Sequence, residues 1–266
     1  MQEEYDLSRP KVGVSMLYCL GEPFDRMIRR LNTMDTKFIE IVDDGTHDLN
    51  KARIQKLRQT AKSYDIIYSV HAPFADINIG SPAKPMLNAT LKRLKQSLSN
   101  ANNLDAKMWI FHPAIFTGIS QFYPDSLFKQ SCASIKQLYA IAEEYGMNIA
   151  LENLPSKYGF LMSTPAELQR FYKETNLPIG IALDLGHANL QNQIQNFFDQ
   201  LADRIVHIHA SNNNGDQDEH NGIEDGNIDY GQFAENLHKI GYDKWVIIES
   251  INKVPESIKK LKHLLV

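Results

Sequence analysis

Eight short apolar runs, each rich in Val, Ile or aromatic residues, recur along the chain at intervals that leave room for a helix between neighbours. The runs cover residues 11–18, 37–44, 66–72, 107–113, 148–153, 179–184, 204–210 and 244–250. They lack the clean alternation of apolar and polar residues that indicates a strand with one solvated face. Continuously apolar strands are typical of parallel sheets that are covered on both faces.

The segments between these runs carry apolar residues at helical spacing, most clearly at 87–101, 135–145 and 254–265. Thr164 followed by Pro165 predicts an N-cap with proline at the first helical position. Eight strand–helix repeats in 266 residues predict an α/β fold, a single (β/α)8 TIM barrel over residues 1–266 with a polar extension at residues 1–10. A doubly wound open sheet is the alternative, but no G-x-G-x-x-G loop follows the first strand.

Histidines and acids stand where six consecutive predicted strands end. They are His71, His112, Glu152, Asp184, the pair His207 and His209, and Glu249. The carboxyl ends of barrel strands meet at one face, which is where this fold places its active sites. No Lys or Arg occupies the matching positions, so ion pairing offers these acids few partners.

Three of these acids, Glu152, Asp184 and Glu249, follow apolar runs and are expected to be half buried. Crowded carboxylates repel one another and lose hydration, and a divalent cation removes both costs. Mixed imidazole and carboxylate ligands suit Zn²⁺, Mn²⁺, Co²⁺ or Fe²⁺ better than Ca²⁺. We therefore predict that these acids bind a metal together with His209. His207 points the same way two residues earlier, and it is a further ligand, a group behind the ligands or a buried polar residue. We prefer a group behind the ligands.

Composition limits the partners of the protein. The net charge of −4 provides no basic field that could hold a polyanion by charge alone. No apolar run approaches the roughly 20 residues of a membrane helix, and residues 1–10 do not resemble a signal peptide. Two cysteines cannot form a disulfide framework, so we expect a cytoplasmic protein without membrane attachment. A homo-oligomer is compatible with the sequence, but no exposed apolar stripe predicts one.

Six motifs in order along the chain resemble the xylose isomerase-like barrel superfamily, which contains sugar isomerases and epimerases, inosose dehydratase-like enzymes and endonuclease IV. The motifs are VHAPFADINIGSP (70–82), FHP (111–113), LEN (151–153), LDLGHANL (183–190), HIHASNNNGDQDEHNGIEDGNIDY (207–230) and IIES (247–250). The resemblance extends over residues 11–250, and the motifs are specific for the superfamily rather than for one member.

The resemblance implies roles for the matching residues. In the epimerases one metal is bound by residues that match Glu152, Asp184, His209 and Glu249, and the residue that matches His187 contacts the substrate. In endonuclease IV, which binds three metals, the further ligands match His71, His112, His187, Asp218 and His220. The resemblance thus implies one to three divalent ions, with Mn²⁺, Zn²⁺, Co²⁺ or Mg²⁺ as candidates.

Two positions depart from the ketose 3-epimerases of this superfamily. Their substrate-binding Glu, six residues after the first metal-binding Glu, is Tyr158 in this chain. Their Arg, six residues after the metal-binding His, is Gly215. We therefore do not expect a 3-epimerase of that type.

Three functions are compatible with these residues. The first is a metal-dependent isomerase or epimerase of a small sugar or polyol, in which Glu152 and Glu249 move a proton beside a carbonyl through an ene-diolate. Its predicted substrate contacts are His71, His112, His187, Lys157 and His207. The alternative is an endonuclease IV-like enzyme that cuts DNA at apurinic sites with a multinuclear metal site. The third is a metal-binding barrel without catalysis.

The segment after strand seven helps to choose between these functions. Residues 211–230 contain six acids and no Lys or Arg, which makes them a poor neighbour for the phosphates of DNA. We therefore prefer the isomerase over the nuclease, and a neutral sugar over a sugar phosphate. The first part of this segment, SNNNGDQDEH (211–220), is predicted to be a flexible loop that brings Asp218 and His220 over the mouth of the barrel.

Overall fold

A computed structural model describes residues 9–265, so most of the polar extension predicted for residues 1–10 lies outside the described residues. Eight parallel strands form a closed barrel in the order of the sequence. They are β1 (Lys11–Ser15), β2 (Phe38–Val42), β3 (Ile67–His71), β4 (Trp109–Phe111), β5 (Ile149–Glu152), β6 (Gly180–Asp184), β7 (Ile205–Ala210) and β8 (Trp245–Ile248). The predicted barrel is confirmed. The open sheet is wrong, because β1 pairs with β8 and leaves no edge.

Helices follow the strands and pack around the barrel. Within residues 9–265 they are α1 (Phe24–Leu31), α2 (Lys51–Tyr64), α3 (Lys84–Asn103), α4 (Pro124–Tyr145), α5 (Pro165–Thr175), α6 (Leu185–Asn189), α7 (Ile194–Leu201), α8 (Tyr230–Lys239) and α9 (Val254–Leu264). The predicted cap of α5 is confirmed, since the Thr164 hydroxyl accepts a hydrogen bond from the backbone of Glu167. None of these helices combines the length and the apolar character that crossing a bilayer requires.

The buried apolar residues form two clusters, one on the outer side of the strands and one inside the barrel. The larger one lies between strands and helices, as at Trp109, whose indole N–H donates to a serine of α3 at 3.1 Å. The smaller one consists of Ile110, Ala150 and Ala182. Because side chains alternate along a strand, the residues two positions after these alanines, Glu152 and Asp184, also point into the barrel. Register therefore places both carboxylates at its carboxyl-end mouth.

Candidate metal and catalytic site

Four buried side chains converge at the mouth of the barrel. Glu152 ends β5, Asp184 ends β6, His209 lies on β7 and Glu249 follows β8. The Nδ1 atom of His209 is 3.0 Å from Glu152 Oε1 and 3.2 Å from Glu249 Oε2. It is 3.9 Å from Asp184 Oδ2. One ligand atom from each residue lies within 4.8 Å of the others, so the four predicted metal ligands are held together.

The two oxygens of the Asp184 carboxylate differ in their hydrogen bonding, because one caps a helix and the other has no partner among residues 9–265. Its Oδ1 atom caps α6 by accepting a hydrogen bond from the backbone of His187 at 2.7 Å. Its Oδ2 atom is buried and has no hydrogen-bond partner among residues 9–265. Because an unpaired buried carboxylate oxygen is costly, a divalent cation beside His209 would satisfy an atom that the protein leaves open. The residues present therefore fit a metal.

A second group forms around the other oxygen of Glu152. The Nε2 atoms of His71 and His112 lie 3.2 Å and 3.0 Å from Glu152 Oε2. The Nδ1 atom of His71 bonds to the carbonyl of Ala72 at 2.8 Å, which turns Nε2 toward the site. The ring of Phe74 stacks on His112 with 5.7 Å between the ring centroids. Glu152 is thus shared by two groups of ligand-type side chains.

A third group joins α6 to the loop after β7. Asp218 Oδ2 lies 3.1 Å from His187 Nε2 and 3.2 Å from His220 Nε2. The Nδ1 atoms of these histidines bond to the backbone carbonyls of Asn153 and Glu249, at 2.9 Å and 3.0 Å. Anchoring one ring nitrogen on a carbonyl leaves the other available as a ligand, as at many metal sites. The structure therefore brings Asp218 and His220 to the mouth, as predicted.

The loop between β7 and α8 begins with three polar residues that are buried rather than free in solvent. Ser211, Asn212 and Asn213 are all at most 1% exposed. The Asn213 side chain donates to the carbonyl of Gly186 and accepts from Asn189, both on α6, at 2.9 Å and 2.8 Å. This differs from the flexible loop that we predicted, because the amide groups bond the loop to its neighbours.

The loop after β5 contacts the same segment from the other side. The ammonium group of Lys157 donates to the carbonyl of Asp216. The Tyr158 hydroxyl accepts a hydrogen bond from the backbone N–H of Asp218 at 3.3 Å. Both contacts hold the segment that carries Asp218 and His220 over the site. The substrate contact predicted for Lys157 stays a prediction.

Sequence reasoning missed one residue, Glu40 on β2, which is fully buried inside the barrel. Its Oε2 atom bonds to His207 Nε2 at 2.9 Å, and its Oε1 atom lies 3.1 Å from His209 Nε2. His207 therefore lies one layer below the mouth and contacts Glu40, and the substrate contact predicted for it stays a prediction. The available signal was an acid in the middle of the apolar run FIEIV, the β2 strand, where a charge needs a partner.

Neighbouring imidazoles control the charge of the carboxylates. Burial opposes ionisation of Glu152, but His209 and His112 together lower its pKa well below the ordinary value. Burial also opposes ionisation of Glu249, and His209 lowers its pKa. Burial raises the pKa of Asp184 to about 6, because the lowering effect of His187 is opposed by the charges of the two glutamates. Glu152 and Glu249 are therefore ionised at neutral pH and able to accept a proton.

The histidines respond to the same charges in the opposite direction. Burial alone would lower the pKa of His71, but its bond to Glu152 raises the pKa to about 9. Burial would also lower the pKa of His187, but Asp184 and Asp218 raise it to about 10. At His220, Asp218 outweighs burial and raises the pKa to about 9. Because metal ligands must be deprotonated, a cation that binds here would release protons.

Comparison with known proteins agrees with the closed barrel and with the ligand-type side chains at its mouth. The family model described as the xylose isomerase-like TIM barrel matches residues 28–265. The chain belongs to this family, and the resemblance read from its six motifs is confirmed.

Individual relatives match most of the chain. The uncharacterized protein MJ1311 of Methanocaldococcus jannaschii is 32% identical over 258 residues, which cover 96% of this chain and 88% of that protein. The crystal structure of a D-tagatose 3-epimerase-like protein is 32% identical, has a TM-score of 0.90 and matches over 96% of both chains. The ketose 3-epimerase of Arthrobacter globiformis is 29% identical over 129 residues, or 46% of this chain and 41% of that enzyme.

Proposed function

We propose that this protein is a divalent-metal-dependent isomerase or epimerase that moves a proton on a small sugar or polyol through an ene-diolate. The observation that carries the proposal is the pair of buried, ionised carboxylates on either flank of His209 Nδ1, Glu152 at 3.0 Å and Glu249 at 3.2 Å. Glu152 ends β5 and Glu249 follows β8, so a substrate bound at the metal position would have a carboxylate from each of two strands beside it. A positioned carboxylate that is ionised at the working pH can accept a proton from the carbon beside a carbonyl.

The chain's own residues divide the chemistry between them. When bound, a divalent cation polarises a carbonyl oxygen and stabilises negative charge that develops on it. Glu152 and Glu249 then act as the two proton-transfer groups. One carboxylate removes the proton beside the carbonyl and later releases it to solvent, and the other takes up a proton from solvent and delivers it to the ene-diolate. His71, His112 and His187 face the same space and are proposed to hold the hydroxyl groups of the substrate. Phe74, stacked on His112, offers an apolar surface to the carbon skeleton.

The names of two relatives support this reaction class, and two residues of this chain distinguish its substrate contacts from theirs. Two of the matching proteins are named as 3-epimerases of ketoses or as similar to one. Gly215 has a φ of 84°, which an arginine would adopt only with strain, and Tyr158 is bonded to the backbone of Asp218. We therefore propose a substrate that is held by different contacts from those of the ketose 3-epimerases, and an uncharged one because the loop nearby is acidic.

The test is isotope exchange. Purified protein loaded with Mn²⁺ or Co²⁺ is incubated with a panel of ketoses and aldoses in D₂O, and NMR follows deuterium entering next to the carbonyl. Glu152→Gln should abolish exchange while the circular dichroism spectrum stays unchanged. Glu235→Gln, which removes the charge of an exposed acid on α8, is the matched control and should exchange like the wild type. The proposal fails if the wild type neither retains a transition metal in chelator-free buffer nor exchanges any sugar in the panel.

A second candidate is metal-dependent cleavage of a phosphodiester at apurinic sites in DNA. The observation in its favour is the assembly of three neighbouring ligand groups, since Glu152 belongs to two of them and lies 3.6 Å from His187 of the third. Several metals at such a site could activate water and stabilise a leaving oxygen. The acidic loop remains unfavourable to DNA.

Metal stoichiometry and a nicking assay separate the two candidates. Anomalous scattering from crystals grown with Zn²⁺ or Mn²⁺ counts the occupied positions, and three ions support the nuclease while one ion supports the isomerase. Salt-sensitive catalytic nicking of abasic duplex DNA, lost in the Glu152→Gln variant, would overturn the isomerase. Glu235→Gln is again the control.

A further inference from the structure

Glu40 lies inside the barrel beneath the proposed metal ligands, and nothing in the proposed reaction uses it. Its side chain is 0% exposed, so it contacts neither solvent nor substrate. Three side chains surround the carboxylate. The hydroxyl of Ser69 donates to Oε2 at 3.0 Å, His207 Nε2 bonds to the same oxygen at 2.9 Å, and His209 Nε2 lies 3.1 Å from Oε1.

A buried carboxylate is costly unless charged or polar partners compensate it, and within residues 9–265 the partners of Glu40 are Ser69, His207 and His209. Ser69 faces Glu40 across the β2–β3 ladder, and His207 is two residues before His209 on β7. All four side chains therefore belong to strands, the most rigid elements of the barrel. Partners on the neighbouring strand β3 and on β7 therefore hold the carboxylate of Glu40 in place.

The contact with His209 matters because the two nitrogens of this ring face different groups. Nδ1 faces Glu152 and Glu249, while Nε2 faces Glu40. Among residues 9–265 neither Glu40 Oε1 nor His209 Nε2 makes a hydrogen bond, and these two unsatisfied buried atoms lie 3.1 Å from each other. A metal-binding nitrogen must carry a lone pair, so the ring proton has to reside on the other nitrogen. A carboxylate behind that nitrogen holds the proton there and increases the basicity of the ligand.

We propose that Glu40 is the positioning residue of the metal centre, holding His209 with its proton on Nε2 and its Nδ1 lone pair toward Glu152 and Glu249. Ser69 and His207 in turn hold Glu40. The inference rests on the metal dependence in the proposed function but not on the identity of the substrate. Loss of such a group behind a metal ligand weakens metal binding by roughly 10- to 100-fold in other proteins.

The test measures metal affinity rather than turnover. Full-length wild type, Glu40→Gln and Asp43→Asn are titrated with Co²⁺ by calorimetry and by visible absorption, which also reports stoichiometry. Asp43 is the matched control because it too is a buried carboxylate, three residues further on, but pairs with Arg93 at 2.8 Å outside the site. We expect roughly 10- to 100-fold weaker binding for Glu40→Gln, the same number of ions as in the wild type, and unchanged affinity for Asp43→Asn.

Each other outcome has a distinct meaning. A wild type that binds no Co²⁺ contradicts the proposed function. A wild type that binds Co²⁺ while Glu40→Gln binds it equally well contradicts the positioning role alone. Fewer ions bound by Glu40→Gln would make Glu40 a ligand, and equal weakening in Asp43→Asn would indicate general loosening of the barrel, so either result overturns the proposal.

If Glu40→Gln does not fold, a measurement on the wild type still tests the proposal. In the Zn²⁺-loaded protein, ¹⁵N NMR of the histidine rings should place the metal on Nδ1 of His209 and a slowly exchanging proton on its Nε2. Metal on Nε2 of His209 would overturn the proposal, because Glu40 would then face the wrong atom.

Discussion

Replacing Asn212 by alanine should release the loop that carries Asp218 and His220. Asn212 is 1% exposed at the start of this loop, and its side chain makes three hydrogen bonds to backbone groups. Its Oδ1 atom accepts from the amides of Asn213 and Ile228 at 2.9 Å and 3.0 Å. Its Nδ2 atom donates to the carbonyl of Ile223 at 2.7 Å. The side chain thus joins the beginning of the loop to its end.

The expected cost follows from the number of bonds. A buried hydrogen bond contributes about 1 kcal/mol net, so the loss of three lowers the free energy of unfolding by about 3 kcal/mol. For a chain of this size that corresponds to a fall in Tm of roughly 6–12 °C. In the variant, the amides of Asn213 and Ile228 lose their acceptor and the carbonyl of Ile223 loses its donor. Because unpaired buried polar groups are costly, the loss of stability should not fall much below about 3 kcal/mol. Asn214→Ala is the matched control, since Asn214 is exposed and its side chain donates only to Glu219 among residues 9–265, at the surface.

Urea unfolding followed by circular dichroism gives the global effect, and hydrogen exchange of the amides of Asn213 and Ile228 gives the local one. We expect both to change in Asn212→Ala and neither to change by more than about 0.5 kcal/mol in Asn214→Ala. Equal effects in the two variants would refute the conclusion that the asparagine run is a structural part of the site.

Two further predictions concern charge and close packing. The pKa values of His187 and His220, about 10 and about 9, lie above the ordinary 6.5. The stability that they contribute to metal-free protein is therefore complete below pH 6.5 and lost as the pH rises through 9 to 10, which urea titrations at several pH values can check. Gly226→Ala would place Cβ 2.3 Å from Asn212 Oδ1 and should cost about 1–3 kcal/mol in thermal unfolding, whereas Gly21→Ala, with open space around it, should not.

The barrel was predictable because its pattern is local and repeated. Each strand had to be largely apolar to lie between a filled interior and a layer of helices, and each of the eight observed strands lies within a predicted run. The topology then placed every strand end at one face. For that reason the residues Glu152, Asp184, His209 and Glu249 could be grouped before any distance was known.

What the sequence did not determine depends on contacts between distant segments. An acid such as Glu40 inside an apolar run needs a partner, but no local pattern names one, and its partner His207 is 167 residues away. The asparagine run has the composition of a solvated loop, and its burial follows from bonds to α6 and to the far end of the same loop. Periodicity and strand ends thus determined the fold and the principal candidate ligands, because both are properties of single elements. Only the tertiary structure decided which polar groups lie behind those residues, because contacts between strands and loops depend on the packed barrel.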